Sequence, residues 1–206
     1  DIDNITEINN KMKTIENKKS IKPRMDIMLD VETVSLRENA GLLSIALVPF
    51  SIGGKQIDSP FDGASPFYRV IDLTSCFMAG MDMNGCQEWW MKQDPIVISG
   101  ILSMEKVPVV KAMNEAHGYL SEMAEQYELV MWSRGMDFDF PKLEWCFRKF
   151  VEKPFPYAFW NKRDVRTIIK EMGINEEDFE FEGVKHNSLD DCLHQIKLIR
   201  EAYRRI

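Results

Sequence analysis

No apolar run in the chain approaches the ~18 residues that a membrane-spanning helix needs. The first residues are polar and charged, without the apolar core of a signal peptide. A membrane protein is therefore not expected, and the expected setting is the cytoplasm. Cysteine is sparse and scattered. Cys76, Cys86, Cys146 and Cys192 show no C-x-x-C spacing, which argues against a zinc knuckle and against a disulfide framework; they read as reduced thiols. Positive charge is in deficit, 26 Lys and Arg against 33 Asp and Glu, for a net charge of −7. Proteins that hold polyanions by charge alone are usually basic, so that class is disfavoured. An enzyme that meets phosphate through metal ions is not, because its carboxylates then have a second use. Internal repeats are also absent. What is present is ordinary for a globular protein: 206 residues, 45% hydrophobic and 29% charged. That is enough for a full core in one domain or at most two small ones.

Residues 1 to 24 stand apart as an N-terminal extension. Ile2, Ile5, Ile8, Met12 and Ile15 are spaced by three and four among polar residues, as on an amphipathic helix; a loosely held tail is the alternative. The domain proper is expected over 25–206. Strands are predicted at Met25–Leu29, running into Asp30–Thr33, at Leu42–Ile52 and at Phe67–Leu73, separated by polar or Gly/Pro-rich stretches such as 53–66. Short links suggest an antiparallel meander. Further strands are expected at Leu129–Trp132 and Tyr157–Trp160. Helices are expected at Asn84–Met91, Asp94–Leu102, Val109–Tyr127, Phe140–Val151, Arg163–Met172 and Ser188–Tyr203. Pro141 suits a first helical turn, where its missing N–H costs nothing. The whole reads as one α/β domain around a mixed five-stranded sheet, three antiparallel strands first and parallel strands after, flanked by helices.

Three segments carry chemistry. Asp30 and Glu32 stand two apart at the end of the first strand, so their carboxylates share a face. Such a pair is costly unless it binds a cation or shares a proton, and oxygen donors suit Mg²⁺ or Mn²⁺. In Trp132-Ser-Arg-Gly-Met-Asp-Phe-Asp139 a strand ends, a turn follows and a helix starts; Asp137 and Asp139 compete for a role, and Asp139 could simply cap the helix. His186-Asn-Ser-Leu-Asp190-Asp191 opens the last helix, where an Asp also complements the helix dipole and a lone His is often only solvated.

In order and setting, a D-x-E on the first strand, an F-D-x-x-x-L on a mid-chain helix and an H-x-x-x-x-D on the last helix resemble the three motifs of the DEDDh (DnaQ-like) 3′–5′ exonucleases, whose fold is ribonuclease H-like. The strings 132–141, 159–167 (FWNKRDVRT) and 88–95 (EWWMKQDP) look like the tailed-phage exonuclease A (DexA) group of the exoribonuclease-like branch, over residues 25–205. Two departures leave every ligand in place: Ser188 stands where many relatives have Ala, and Arg134-Gly135 where the wider superfamily has Asn-Gly. The resemblance prefers Asp139 to Asp137. It implies hydrolysis of single-stranded DNA or RNA from 3′ ends by two divalent ions, Mg²⁺ or Mn²⁺. Asp30, Glu32, Asp139 and Asp191 would be the ligands and His186 the general base. It also implies a homodimer, and a host bacterial cytoplasm if the gene is a phage's.

Arg134, Lys162, Arg163 and Arg166 flank the implied site in sequence and could hold phosphate, or could line an exposed helix face. Leu42 or Leu43 could wedge under the terminal base or belong to the core. Trp89 and Trp90 are expected in the core or at a dimer contact, and at most one of them against bases, because neighbours on a helix face different ways. DNA is the favoured strand and RNA the alternative. A silent nucleic-acid-binding module on the same fold is the competing class, disfavoured because no ligand is missing.

Overall fold

In the computed structural model, which describes residues 22–52 and 65–206, the early apolar segments form β1 (Arg24–Thr33), β2 (Leu42–Phe50) and β3 (Phe67–Ile71). They pair antiparallel in chain order, as a meander. β4 (Lys106–Val107) runs parallel beside β3. β5 (Glu128–Ser133) lies parallel to β1 on its other side, and β6 (Lys162–Asp164) parallel beyond that. The order β4-β3-β2-β1-β5-β6 puts β1 near the middle. The mixed sheet is of the expected class, with six strands in place of five; β4 is too short to leave a period in the sequence.

Helices cover both faces. Ile27, Leu29 and Val31 of β1 pack with Ala112, Met113, Ala116 and Leu120 of one helix, Val109–Gln126, and with Phe140 and Leu143 of another, Asp139–Cys146. Met28 faces the opposite layer, with Val165 and Ile169 of helix Val165–Glu171 and Cys192, Ile196 and Ile199 of helix Ser188–Arg204. A strand buried on both faces reads as a continuous apolar run. The two-residue period then fixes where the acids go: Asp30 and Glu32 lie on Met28's side, under the last helix.

In chain order the helices are α1 (Leu73–Met78), α2 (Gln87–Trp90), α3 (Pro95–Ser103), α4 (Val109–Gln126), α5 (Asp139–Cys146), α6 (Val165–Glu171) and α7 (Ser188–Arg204). Several boundaries differ from expectation. α1 takes residues just after β3, because the Asp72 carboxylate accepts the Thr74 N–H and starts a helix. α2 is shorter than the segment 84–91. α5 continues as a π turn, Phe147–Val151.

The strand expected at Tyr157–Trp160 is a correction. Pro154 and Pro156 withhold ladder donors, Phe159–Asn161 curls into a 3₁₀ turn, and the polar residues of β6 pair with β5 instead. Asp164 caps α6 through the Arg166 and Thr167 N–H groups, so that helix starts at Val165 and not at Arg163. The expected tail over 1–24 and the turn-rich stretch 53–66 lie largely outside the described residues, which omit 1–21 and 53–64. All four cysteines are buried free thiols. No helix among the described residues is long and apolar enough to cross a membrane.

Candidate active site

The parallel strands β1 and β5 end at the same edge of the sheet, where the chain leaves β1 by the loop to β2 and β5 by the turn into α5. Open α/β sheets bind ligands at such a point. Here it opens into a cleft of about 840 Å³ that holds Asp30, Glu32, Asp139, His186 and Asp191 together. Three distant segments thus meet. β1 supplies Asp30 and Glu32 just before a bulge at Glu32/Thr33. α5 supplies Asp139 from its first turn, where the carboxylate accepts the Val31 N–H at 3.4 Å. Phe138, not Asp139, is the N-cap, so Asp139 is not held there as a capping residue. Asp137 is exposed and Asp139 is buried. α7 supplies Asp191, which accepts the His186 N–H. The ligating atoms of Glu32, His186 and Asp191 lie within 4.8 Å of one another. The nearest approach of the His186 ring to Glu32 is Nδ1 to Oε1 at 4.0 Å.

The electrostatics are those of a cation site. Asp30 and Glu32 are partly open to the cleft, yet protein surrounds them. Burial first, then Asp139, Glu32 and Asp191, raise the Asp30 carboxyl well above the ordinary range; only the Gln195 amide, donating at 3.2 Å, opposes this. Burial and then Asp191 and Asp139 do the same to Glu32. Burial pushes Asp139 up to about 7, against the opposing Val31 N–H, Lys142 and Arg166. Asp191 is pushed up to about 6, again by burial first. Four acids destabilised in their charged form have hard oxygen donors to spare, which fits Mg²⁺ or Mn²⁺. His186 shifts the other way: burial and then Lys185 lower it, so its imidazole is neutral near pH 7 and free to take a proton.

Arg134 and Arg166 also line the cleft. Arg134 reaches Glu176 at 2.5 Å. Arg166 crosses above Gly135, which has φ 109°, donates its N–H to Asp164, and leaves so little room that a Cβ would lie 2.8 Å from the guanidinium. Glycine at 135 therefore has a local cause. Arg163 and Leu43 do not line the cleft. Arg163 donates to the Trp160 and Lys162 carbonyls, and Leu43 packs with Val70, Cys86 and Trp90. Leu42 is core, and Lys162 is paired with Glu144 at 2.8 Å.

The two tryptophans part company. Trp90 is buried and donates to the Thr33 carbonyl. Trp89 is 43% exposed, lines the cleft and meets the His186 ring edge-on at 4.7 Å. Sequence reasoning missed Trp89 as a cleft residue, along with Leu36, Phe138 and Gln195. Gln195 carried a usable signal, since it stands four residues after Asp191 on the same helix face. Ser188, the departure from relatives, is matched from β2: its hydroxyl pairs with that of Ser44 at 2.9 Å.

The family model of the Rv2179c-like 3′–5′ exoribonuclease domain matches residues 25–203. An exodeoxyribonuclease of Enterobacteria phage T4 is 25% identical over 202 residues, covering 87% of this chain and 89% of that protein. The nuclease domain of 3'hExo, a DEDDh family member solved bound to rAMP, superposes with a TM-score of 0.53 at 11% identity, over 90% of this chain and 94% of that one. The zinc-bound complex of E. coli ExoI with single-stranded DNA gives 0.50 at 8% identity, over 89% of this chain and 40% of that one. The chain belongs to the Rv2179c-like 3′–5′ exoribonuclease domain family, and it is a 3′–5′ exonuclease of nucleic acid.

Proposed function

We propose that the protein hydrolyses single-stranded nucleic acid, DNA in preference to RNA, from the 3′ end and releases nucleoside 5′-monophosphates. The observation that carries this reading is the convergence of Asp30, Glu32, Asp139, Asp191 and His186, with four carboxylates whose charge no cleft cation offsets fully. Asp30, Glu32, Asp139 and Asp191 would hold two divalent ions, Mg²⁺ or Mn²⁺. The chemistry such ions supply is stabilisation of charge on the attacking and leaving oxygens of a phosphodiester. His186 accepts the proton of the attacking water, and Trp89 limits how its ring can turn. Arg166 meets the phosphate. Trp89 and Leu36, exposed on the walls of the cleft, offer the apolar surface for the terminal base that Leu43 was expected to supply. The phage relative named an exodeoxyribonuclease supports DNA; the family's description supports RNA as the second reading.

The test is a 5′-labelled single strand of DNA and a matched RNA, each with Mg²⁺ and with EDTA. A metal-dependent ladder shortening from the 3′ end is expected, faster on DNA. A faster RNA ladder reverses the strand preference, and an intact label on both strands would leave a silent binding module. His186→Ala should lower kcat at least about a hundredfold with KM little changed, because general-base catalysis contributes roughly 10²–10⁴; an unchanged kcat removes His186 from the mechanism. Arg166→Ala should raise KM about tenfold and change kcat less, since a hydrogen bond to a charged group is worth roughly 1.5–3 kcal/mol. Unaltered KM would place the phosphate elsewhere.

A further inference from the structure

His186 sits in an unfavourable backbone conformation, φ 65°, which a non-glycine residue keeps only where its surroundings hold it. It is the third residue of a turn that the Asn187 N–H closes onto the Val184 carbonyl at 3.1 Å. The holding groups all belong to the start of α7. The Asn187 side chain caps the helix by accepting the Leu189 and Asp190 N–H groups. Asp191 accepts the His186 N–H from the cleft side. Asp190 grips the turn from its far end: its Oδ2 accepts the Val184 N–H at 2.8 Å. The contact is flush, since Gly183 has φ 100° and a Cβ there would lie 2.5 Å from the Asp190 carboxyl carbon. Asp190 does not line the cleft. The helix that carries it is fixed in turn to β1, through Cys192 Sγ on the Met28 carbonyl and Gln195 on Asp30.

We propose that Asp190 is a positioning residue for His186: by clamping Gly183–Val184 onto α7 it fixes the imidazole in the same rigid frame as Asp30, Glu32 and Asp191. This rests on the role given to His186 above. Asp190 touches no substrate and acts only through the turn. An Asp in a first helical turn also favours the helix dipole, but that contribution would stabilise the helix equally whether or not residue 186 were a histidine.

The test is a double-mutant cycle with an exchange measurement beside it. Asp190→Ala should lower kcat about tenfold with KM unchanged, the cost expected from a lost partner for a part-buried N–H. In the His186→Ala background the same change should alter kcat less than about twofold. Asp190→Asn, whose amide oxygen can accept the same N–H, should restore kcat. Gly183→Ala, which disturbs the contact without changing a charge, should reproduce the loss. Hydrogen–deuterium exchange of the peptide spanning 183–187 should quicken in Asp190→Ala and not in Asp190→Asn, with melting temperature as the check on folding. Equal losses in both backgrounds, an unchanged kcat, or unaltered exchange would overturn the proposal. If His186→Ala itself leaves kcat intact, the general-base reading falls on that variant alone, and exchange still decides whether Asp190 holds the turn.

Discussion

Asp30→Asn should abolish hydrolysis, lowering the rate at least about a thousandfold, while the metal-free protein melts at a higher temperature than the parent. Both effects have one source. Asp30 stands among Asp139, Glu32 and Asp191, and every one of them raises its proton affinity, as burial does. Negative charge on its carboxylate is therefore poorly tolerated in the free protein and of most use where a cation can offset it. Asn keeps the volume, so no cavity forms, and the Gln195 amide that donates to Asp30 can still donate to the new amide oxygen. What disappears is one charge from a crowded set. Active sites commonly trade stability for function in this way. For a chain of this size each kcal/mol relieved raises the melting temperature by roughly 2–4 °C. Measured by scanning calorimetry in EDTA and by the 3′-end ladder in Mg²⁺, a retained rate within tenfold, or a lower melting temperature, would sink the reading of Asp30 as a metal ligand.

A residue's role is legible in the sequence where near neighbours set it. Asp30 and Glu32 were legible because a strand's two-residue period alone puts them on one face. Asp139, His186 and Asp191 were legible as a constellation, through order and spacing, though each had a bland reading by itself. Asp139 needed the structure to exclude a capping role, since the cap is Phe138. Residues whose role depends on where a loop travels were not legible. Leu43 was named as an apolar contact for the terminal base, yet it packs against the buried cluster of Val70, Cys86 and Trp90, while Leu36 on the β1–β2 loop reaches the cleft. Lys162 and Arg163 looked available because they are cations near a motif; their partners, Glu144 and two carbonyls, come from packing. Lys142 escaped notice altogether. It is buried, with its ammonium 3.3 Å from the centre of the Phe138 ring and donating to the Phe138 carbonyl. A buried lysine behind Asp139 is a tertiary event that no helical period announces. The polar β6 was misplaced for a related reason: its pairing partner β5, not its own pattern, makes it a strand.

Removal of divalent metal should stop hydrolysis completely, and the metal's grip should tighten steeply from pH 6 to pH 8. Carboxylates bind metal only when deprotonated. In the metal-free protein Asp139 holds its proton up to about 7 and Asp191 up to about 6, with Asp30 and Glu32 raised in the same direction. Protons and cations therefore compete in the neutral range. The sign for stability follows. In the unfolded chain these acids lose their protons near ~4. Between there and about 7 the folded protein holds more protons than the unfolded one. The contribution of these four acids to the stability of the metal-free protein is therefore greatest at the acid end of that window and falls as pH rises through it. Bound metal reverses the trend. At a free concentration of 100 times its dissociation constant it adds roughly 2.7 kcal/mol, or about 5–10 °C at the sensitivity given above. Burial and then Lys185 lower His186 from its ordinary value, so it shifts in the opposite direction to the four carboxylates. Melting curves at pH 6, 7 and 8, in EDTA and in a Mg²⁺ series, read both effects at once. The metal-free curve should move down with pH and the Mg²⁺-induced rise should grow. A metal-free curve that climbs over the same range, or a Mg²⁺ affinity indifferent to pH, would mean that the four acids are not the ligands.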